Sequence, residues 1–311
     1  MVSALMLVLT LGGIAGAAPN PDADPHYPDL PKHDETGGLF YGALSDTLVF
    51  ASASQQYARI DDARVAIDVK SGFVRPEPDQ ESHIVYAVRA YAIDGDHDAP
   101  QTFGLFPDTR VRTVAFGAVP AEATIHVSQL RDDEGLLVPL AISGEQFNWH
   151  YDAGPRPGDF NGLAGYYSVV GNATMAGQVD VRISEVTVDG IAVDVGAACR
   201  SVVPAQLSAV GEGYIAQDYG ALPLDEPAPP GKFNPSRGGL LTGSISIPAF
   251  TGCSAGGDDL GPLLTAMVSG EKFPVKIFVQ LLGGACFNDN PGSYTLAKCA
   301  AADLPFPGRA K

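Results

Sequence analysis

Gly252-Cys253-Ser254-Ala255-Gly256 matches G-x-S-x-G, the pattern that displays a nucleophilic serine on a sharp turn between a strand and a helix. A strand-like run precedes it, and Asp259 to Val268 suits a short helix, so Ser254 is a candidate nucleophile for acyl transfer. The chemistry then needs a histidine base. In α/β-hydrolase order that base follows the serine, yet the last histidine here is His150. Only an order with His and Asp ahead of Ser stays open, and the signature sequences of enzymes built that way are absent. Cys253 also has a simpler use as half of a disulfide, with flanking glycines that suit a tight turn.

A second cluster, Asp94-Gly95-Asp96-His97-Asp98, places the carboxylates of Asp94, Asp96 and Asp98 at alternate positions, a hard-oxygen set of the kind calcium prefers. The EF-hand pattern is not met, since its glycine and its closing glutamate are missing, so a charged turn after a strand is the expectation. His83, His97, His126 and His150 are scattered, with no two spaced as a metal pair. No cofactor is expected. Trp149-His150-Tyr151 and nearby Tyr166-Tyr167 form an aromatic group; Trp149, Tyr151, Tyr166 and Tyr167 are candidates for lining an apolar or carbohydrate site, or else for closing a core edge. Asn172-Ala173-Thr174 is a glycosylation sequon with meaning only in a host that glycosylates.

The chain begins with 21 residues free of charge that contain the apolar run Leu5 to Leu11 and the small-x-small triplet Ala15-Gly16-Ala17. The run is shorter than the ~20 residues a bilayer-spanning helix needs, so a signal peptide cleaved after Ala17 is expected, with no transmembrane segment left after cleavage. No Lys or Arg precedes the run: the α-amino group supplies the only positive charge, or the true start lies upstream. No Cys follows it, which excludes a lipoprotein anchor. Export fits the cysteines. Cys199, Cys253, Cys286 and Cys299 are an even set, without a CxxC pair, and imply two disulfides. Of three pairings, Cys199–Cys253 with Cys286–Cys299 is favoured, because Asn288-Asp289-Asn290-Pro291-Gly292 is a turn that brings the second pair together. The net charge of −17 disfavours nucleic acid and anionic lipid surfaces as partners.

Charged residues are only 18% of the chain, while Gly (36) and Pro (25) make up nearly a fifth, a turn-rich mixture typical of all-β proteins with many short strands. Residues 18–38 form a Pro/Asp-rich arm expected to be extended. Strand patterns follow at Tyr57–Val69, His83–Ile93, Arg110–Phe116, Ala123–Gln129, Leu136–Ile142, Leu240–Ile247 and Phe273–Leu281. The strongest local signal is Gln178 to Val195, two alternating runs joined by Asp189-Gly190, which predicts a hairpin. Its apolar positions change face midway, which predicts a bulge near Ser184. Residues 223–237 hold five prolines and read as an irregular loop.

Asp132 to Phe147 aligns without gaps to Asp258 to Phe273, with 8 of 16 positions identical. Two related units are one explanation, each with a loop, a strand and a Ser-Gly-Glu turn. The expected architecture is therefore all-β and sandwich-like, with two packed or tandem β domains and little helix: an N-terminal domain over 39–153 and a disulfide-containing C-terminal domain over 154–311.

Around its cysteines the chain resembles a group of secreted actinomycete proteins of uncharacterised function. The segments that carry the likeness are Val186 to Gly196 with Cys199-Arg200-Ser201, Gly243 to Cys253 (through Ile247-Pro248-Ala249-Phe250-Thr251-Gly252), and Asp258 to Gly270. The resemblance spans roughly 115–286 and implies an extracellular or cell-wall location in a Gram-positive host, with no functional residue to transfer. The expected function is that of a secreted or cell-envelope β protein acting by binding or as structure rather than by catalysis. The alternatives are a β-sandwich carrier of an apolar or carbohydrate ligand, which calls for a pocket of roughly 300 Å³ or more, and a secreted serine hydrolase centred on Ser254.

Overall fold

The computed structural model describes residues 39–51, 56–74, 82–94, 102–115, 119–151, 165–217, 228–235 and 238–281, with residues 22 and 31 besides. The expected signal peptide, nearly all of the arm, Asp96, Asp98, Cys286 and Cys299 lie outside the described residues.

The first strands are β1 (Leu39–Ala51), β2 (Gln56–Val74), β3 (Ser82–Asp94), β4 (Thr102–Phe103), β5 (Thr109–Ala115), β6 (Val119–Gln129) and β7 (Leu140–Tyr151). There follow β8 (Gly165–Val170), β9 (Ala173–Val188), β10 (Ile191–Val193), β11 (Arg200–Ser201), β12 (Ala205–Gly211), β13 (Tyr214–Gln217) and β14 (Phe233–Asn234). The last are β15 (Gly238–Ile247), β16 (Phe250–Thr251), β17 (Ser254–Ala255), β18 (Asp258–Asp259) and β19 (Gly270–Leu281), with one helix, α1 (Gly261–Val268), before β19. The protein is all-β, with α1 the sole helix among the described residues.

The pairings run in a ring. β1 pairs with β2, β2 with β3, β3 with β7, and β7 with β9. β9 pairs with β12, β12 with β15, β15 with β19, and β19 returns to β1. Every step is antiparallel, so each reverses the chain direction, and an even number of strands lets the ladder meet itself and removes its edges. The strands before residue 154 (β1, β2, β3 and β7) fill one arc of this ring and those after it (β9, β12, β15 and β19) the other, and the arcs join at β7–β9 and β19–β1 into a single sheet. Alternation tells a strand that one face is buried, not which strand lies beside it.

The pleat points apolar side chains inward. Ile84, Val88 and Ala90 of β3, Met175, Val179 and Val181 of β9, and Val275, Ile277 and Val279 of β19 are all buried. Their neighbours Thr174, Gln178, Arg182, Gln206, Ser208, Thr242 and Lys276 face solvent. This is the reverse of a transmembrane barrel, which turns its apolar band outward. Among the described residues no helix is long and apolar enough to cross a membrane.

β9 forms the predicted hairpin with β10 through Asp189 (φ 52) and Gly190 (φ 77), the left-handed pair of a type I′ turn. The predicted bulge is present as well. The β6–β9 register shifts between Glu122 and Thr124, opposite Ser184 to Thr187, and Glu185 takes φ 48. β9 is long enough to serve two neighbours on one edge, β7 along its first half and β6 along its second. Where β7 leaves β3, after Ala90↔Leu140, the side chain of Gln129 fills the gap in the ladder. Its Oε1 accepts from Ala92 N–H at 2.7 Å, and its Nε2 donates to the carbonyls of Ala90 at 2.9 Å and Val138 at 3.2 Å.

The aligned segments at 132–147 and 258–273 fold differently, which corrects the reading of two related units. Leu140 to Ile142 open strand β7, while their counterparts Ala266 to Val268 end helix α1. Ser143-Gly144-Glu145 lies within a strand, and Ser269 caps the helix before β19, so neither is a turn. Pro262 starts α1 where no N–H is needed, and Phe250 N–H donates to Thr265 Oγ1 at 2.8 Å, tying the helix to β16. Tertiary contact of this kind decides between helix and strand for an eight-residue segment too short to be stable alone.

Candidate functional site

The barrel interior holds a cavity of about 130 Å³. Its wall draws on every part of the ring: Val65 and Ile67 of β2, Leu140 and Ile142 of β7, Met175 of β9, Leu207 of β12, Ile245 of β15 and Ile277 of β19. The β5–β6 side adds Ile125 and Val127, and Val268 at the end of α1 completes the lining. Small residues make the space. Ala58, Ala90 and Ala92 stand on the inner face where neighbouring strands carry branched side chains. The polar groups in the lining are the hydroxyls of Ser45, Thr47 and Thr109, and that of Thr109 is committed to the Arg59 carbonyl at 2.7 Å.

Further along β7 the interior becomes polar. Gln146 Nε2 donates to Asn148 Oδ1 at 3.0 Å and to Ser168 Oγ at 2.8 Å, and Tyr86 OH donates to Gln146 Oε1 at 3.3 Å. Ser168 Oγ in turn donates to Asn148 Oδ1 at 2.8 Å. These buried groups satisfy one another, as a low-dielectric interior requires. Apolar and polar chemistry are thus segregated along the same strand, and the cavity belongs to the apolar stretch.

Of the sequence candidates, Ser254 lies in the two-stranded ribbon β17–β18, with its N–H donating to the Val195 carbonyl at 2.9 Å. Helix α1 begins seven residues later, so the strand–serine–helix turn of a nucleophile elbow is not formed. The two histidines with described side chains are engaged elsewhere, His83 with Glu145 and stacked on Phe147, His126 with Asp108 and Ser184. Cys253 is bonded to Cys199 at 2.07 Å, as expected. Register sets Trp149 opposite Tyr167 and His150 opposite Tyr166, on a β7–β8 ladder that also runs through Tyr151. Asp94 ends β3. Among the described residues no three His, Cys, Asp or Glu side chains gather as a metal site.

The lining residues were not singled out from sequence as a site. Alternation in β2, β9 and β19 marks them as buried, and the alanines at 58, 90 and 92 are the one local sign that the interior is underfilled there.

Fold and site together define a barrel whose interior is apolar at the cavity and polar further along β7. Neither family models, nor curated proteins, nor solved structures match this chain.

Proposed function

We propose that this protein is exported to the cell envelope and binds a small apolar molecule inside its barrel. The cavity carries the reading: about 130 Å³, lined almost wholly by aliphatic side chains. A dry, aliphatic cavity of ~150 Å³ accepts benzene or xenon, whereas drug-sized ligands occupy ~300–1,000 Å³. The space is therefore too small for a lipid, and its three hydroxyls are too few for a sugar, so carriers of those ligands are not proposed. The apolar leader, the Cys199–Cys253 bridge and the likeness to secreted actinomycete proteins support export. The net charge of −17 disfavours a nucleic-acid partner.

Thermal melting in benzene-saturated buffer tests the site. A ligand held by the folded state alone raises the melting temperature. Ala90→Leu projects three more carbons into the cavity and is expected to remove that rise while the variant still melts cooperatively. A wild-type melting curve that benzene leaves in place would rule the binding site out. Recovery of the protein from the culture medium or envelope with a new N-terminus after Ala17 is the outcome expected for export, and retention in the cytosol with Met1 intact would rule it out.

A further inference from the structure

On the outer wall, three side chains from separate parts of the chain form one hydrogen-bonded line. His126 Nδ1 lies 2.5 Å from Asp108 Oδ1, and His126 Nε2 lies 2.6 Å from Ser184 Oγ. A carboxylate at Nδ1 and a hydroxyl at Nε2 are the partners that a general-base imidazole needs, the first to hold the Nδ1 proton and the second to give its own to Nε2. We propose that Ser184 is an activated nucleophile, with His126 as its general base and Asp108 as the residue that positions the imidazole, and that it hydrolyses small carboxylic esters. A serine–histidine–aspartate set is recognised by such geometry and not by its place in the sequence.

The setting supports the assignment. Ser184 sits at the β9 bulge, directly before Glu185 in its left-handed conformation (φ 48). Bulges re-aim side chains beside active sites, and a non-glycine residue at positive φ persists where its surroundings hold it. Glu185 is held by Thr124 Oγ1, which donates to its carboxylate at 2.8 Å. His126 is about one-third exposed and Asp108 more so, which leaves the line open to a solute. Arg182 lies two residues before Ser184 on the same face, opposite His126 in register. Its guanidinium donates to the Ala197 carbonyl at 3.1 Å. The line stands on the outer wall, so the ester is presented from solvent.

In the reaction, Ser184 Oγ bonds to the ester carbonyl carbon as its proton passes to His126 Nε2. The tetrahedral adduct expels the alcohol, which leaves with that proton, and the acyl group stays on Ser184. Water then attacks the acyl carbon, its proton again taken by His126, and the acid departs as Ser184 recovers its hydrogen.

The test is covalent labelling of the full chain with an alkyl fluorophosphonate, located by peptide mass spectrometry, beside turnover of p-nitrophenyl acetate. The adduct is expected on Ser184 and is lost in Ser184→Ala. His126→Ala and His126→Gln are expected to slow labelling and turnover at least about 100-fold, the usual contribution of a general base. Asp108→Asn slows both, and Asp108→Glu restores most of the rate, which a purely structural role would not produce. Melting temperatures of the variants near that of the parent show that the fold persists. Lack of an adduct on Ser184, an adduct on Ser254 in its place, or a Ser184 adduct whose rate His126→Ala leaves unchanged would each overturn the proposal. The benzene shift is independent of all these outcomes.

Discussion

Replacing Cys199 and Cys253 together by alanine is expected to lower the unfolding free energy by about 4 kcal/mol. The bridge closes a loop of 54 residues, and the chain-entropy relation gives roughly 14 cal/mol/K for a loop of that length, or about 4 kcal/mol at 25 °C. Both cysteines are 1% exposed, so the effect includes a little lost packing as well. What the bridge joins explains why the loss should be felt. β11 and β16 are two residues each; among the described residues β16 pairs with β11 alone, and β11 adds Arg200 opposite Arg182 of β9. Ladders this short have little stability of their own. The disulfide holds them, along with the Cys199 carbonyl that accepts Ile183 N–H at 3.1 Å and the Cys253 carbonyl that accepts Leu260 N–H at 2.8 Å. Urea unfolding of the double variant measures the effect. A loss under about 1 kcal/mol would mean that the barrel strands hold these segments unaided. Because Ile183 precedes Ser184, amide exchange at Ile183 should also accelerate in the variant.

The second large effect is expected at Gln129. Gln129→Leu keeps the volume of a side chain that is 5% exposed, but leaves Ala92 N–H and the carbonyls of Ala90 and Val138 without the amide that serves them. An unsatisfied buried backbone group costs about 1–3 kcal/mol, so a loss of about 3 kcal/mol is expected. The site matters more than an ordinary buried glutamine because it stands where the ladder changes hands. β3 has lost β7 as a neighbour beyond Ala90, and β6 approaches it through Gln129. The Gln129 N–H is itself bound to the Gly104 carbonyl at 2.7 Å, which fixes the residue in place. Thermal or urea unfolding of Gln129→Leu checks the magnitude. Amide exchange at Ala92 checks the cause, since that N–H should lose protection ahead of Val88 or Ala90. A stability within about 0.5 kcal/mol of the parent would show that water replaces the amide.

The two proposed activities use opposite faces of the same strands. Ile125, Val127 and Val181 point into the cavity, while His126, Arg182 and Ser184 point out from between and beside them. A pleated strand presents alternate residues to its two sides, so one stretch of β6 and β9 serves a dry interior and a wet polar line at once. Neither readout depends on the other: benzene stabilisation reports the inside and fluorophosphonate labelling the outside.

Much of this protein is written locally. Asp189-Gly190 between alternating runs determines the β9–β10 hairpin, because both residues accept positive φ, and the change of face near Ser184 determines the bulge. Low charge with abundant Gly and Pro points to the all-β class, and the turn at 288–292 favours Cys199–Cys253 among three possible pairings. These features depend on a few neighbouring residues or on composition. What only the tertiary structure decided depends on partners far apart in the chain. β1 meets β19 across more than two hundred residues, and nothing in either strand's alternation names the other. Helix or strand at 258–273 followed from packing against β16, despite the close match to a segment that is strand. Gln129 reads as one polar residue at a strand end until the parting of β3 and β7 gives it three backbone groups to bind. Asp108, His126 and Ser184 carry no motif, since 18 and 58 residues separate the members of each bonded pair. Side-chain periodicity specifies which face of a strand is buried; closure of the barrel specifies which faces meet, and the cavity and the serine–histidine–aspartate line exist only after that closure.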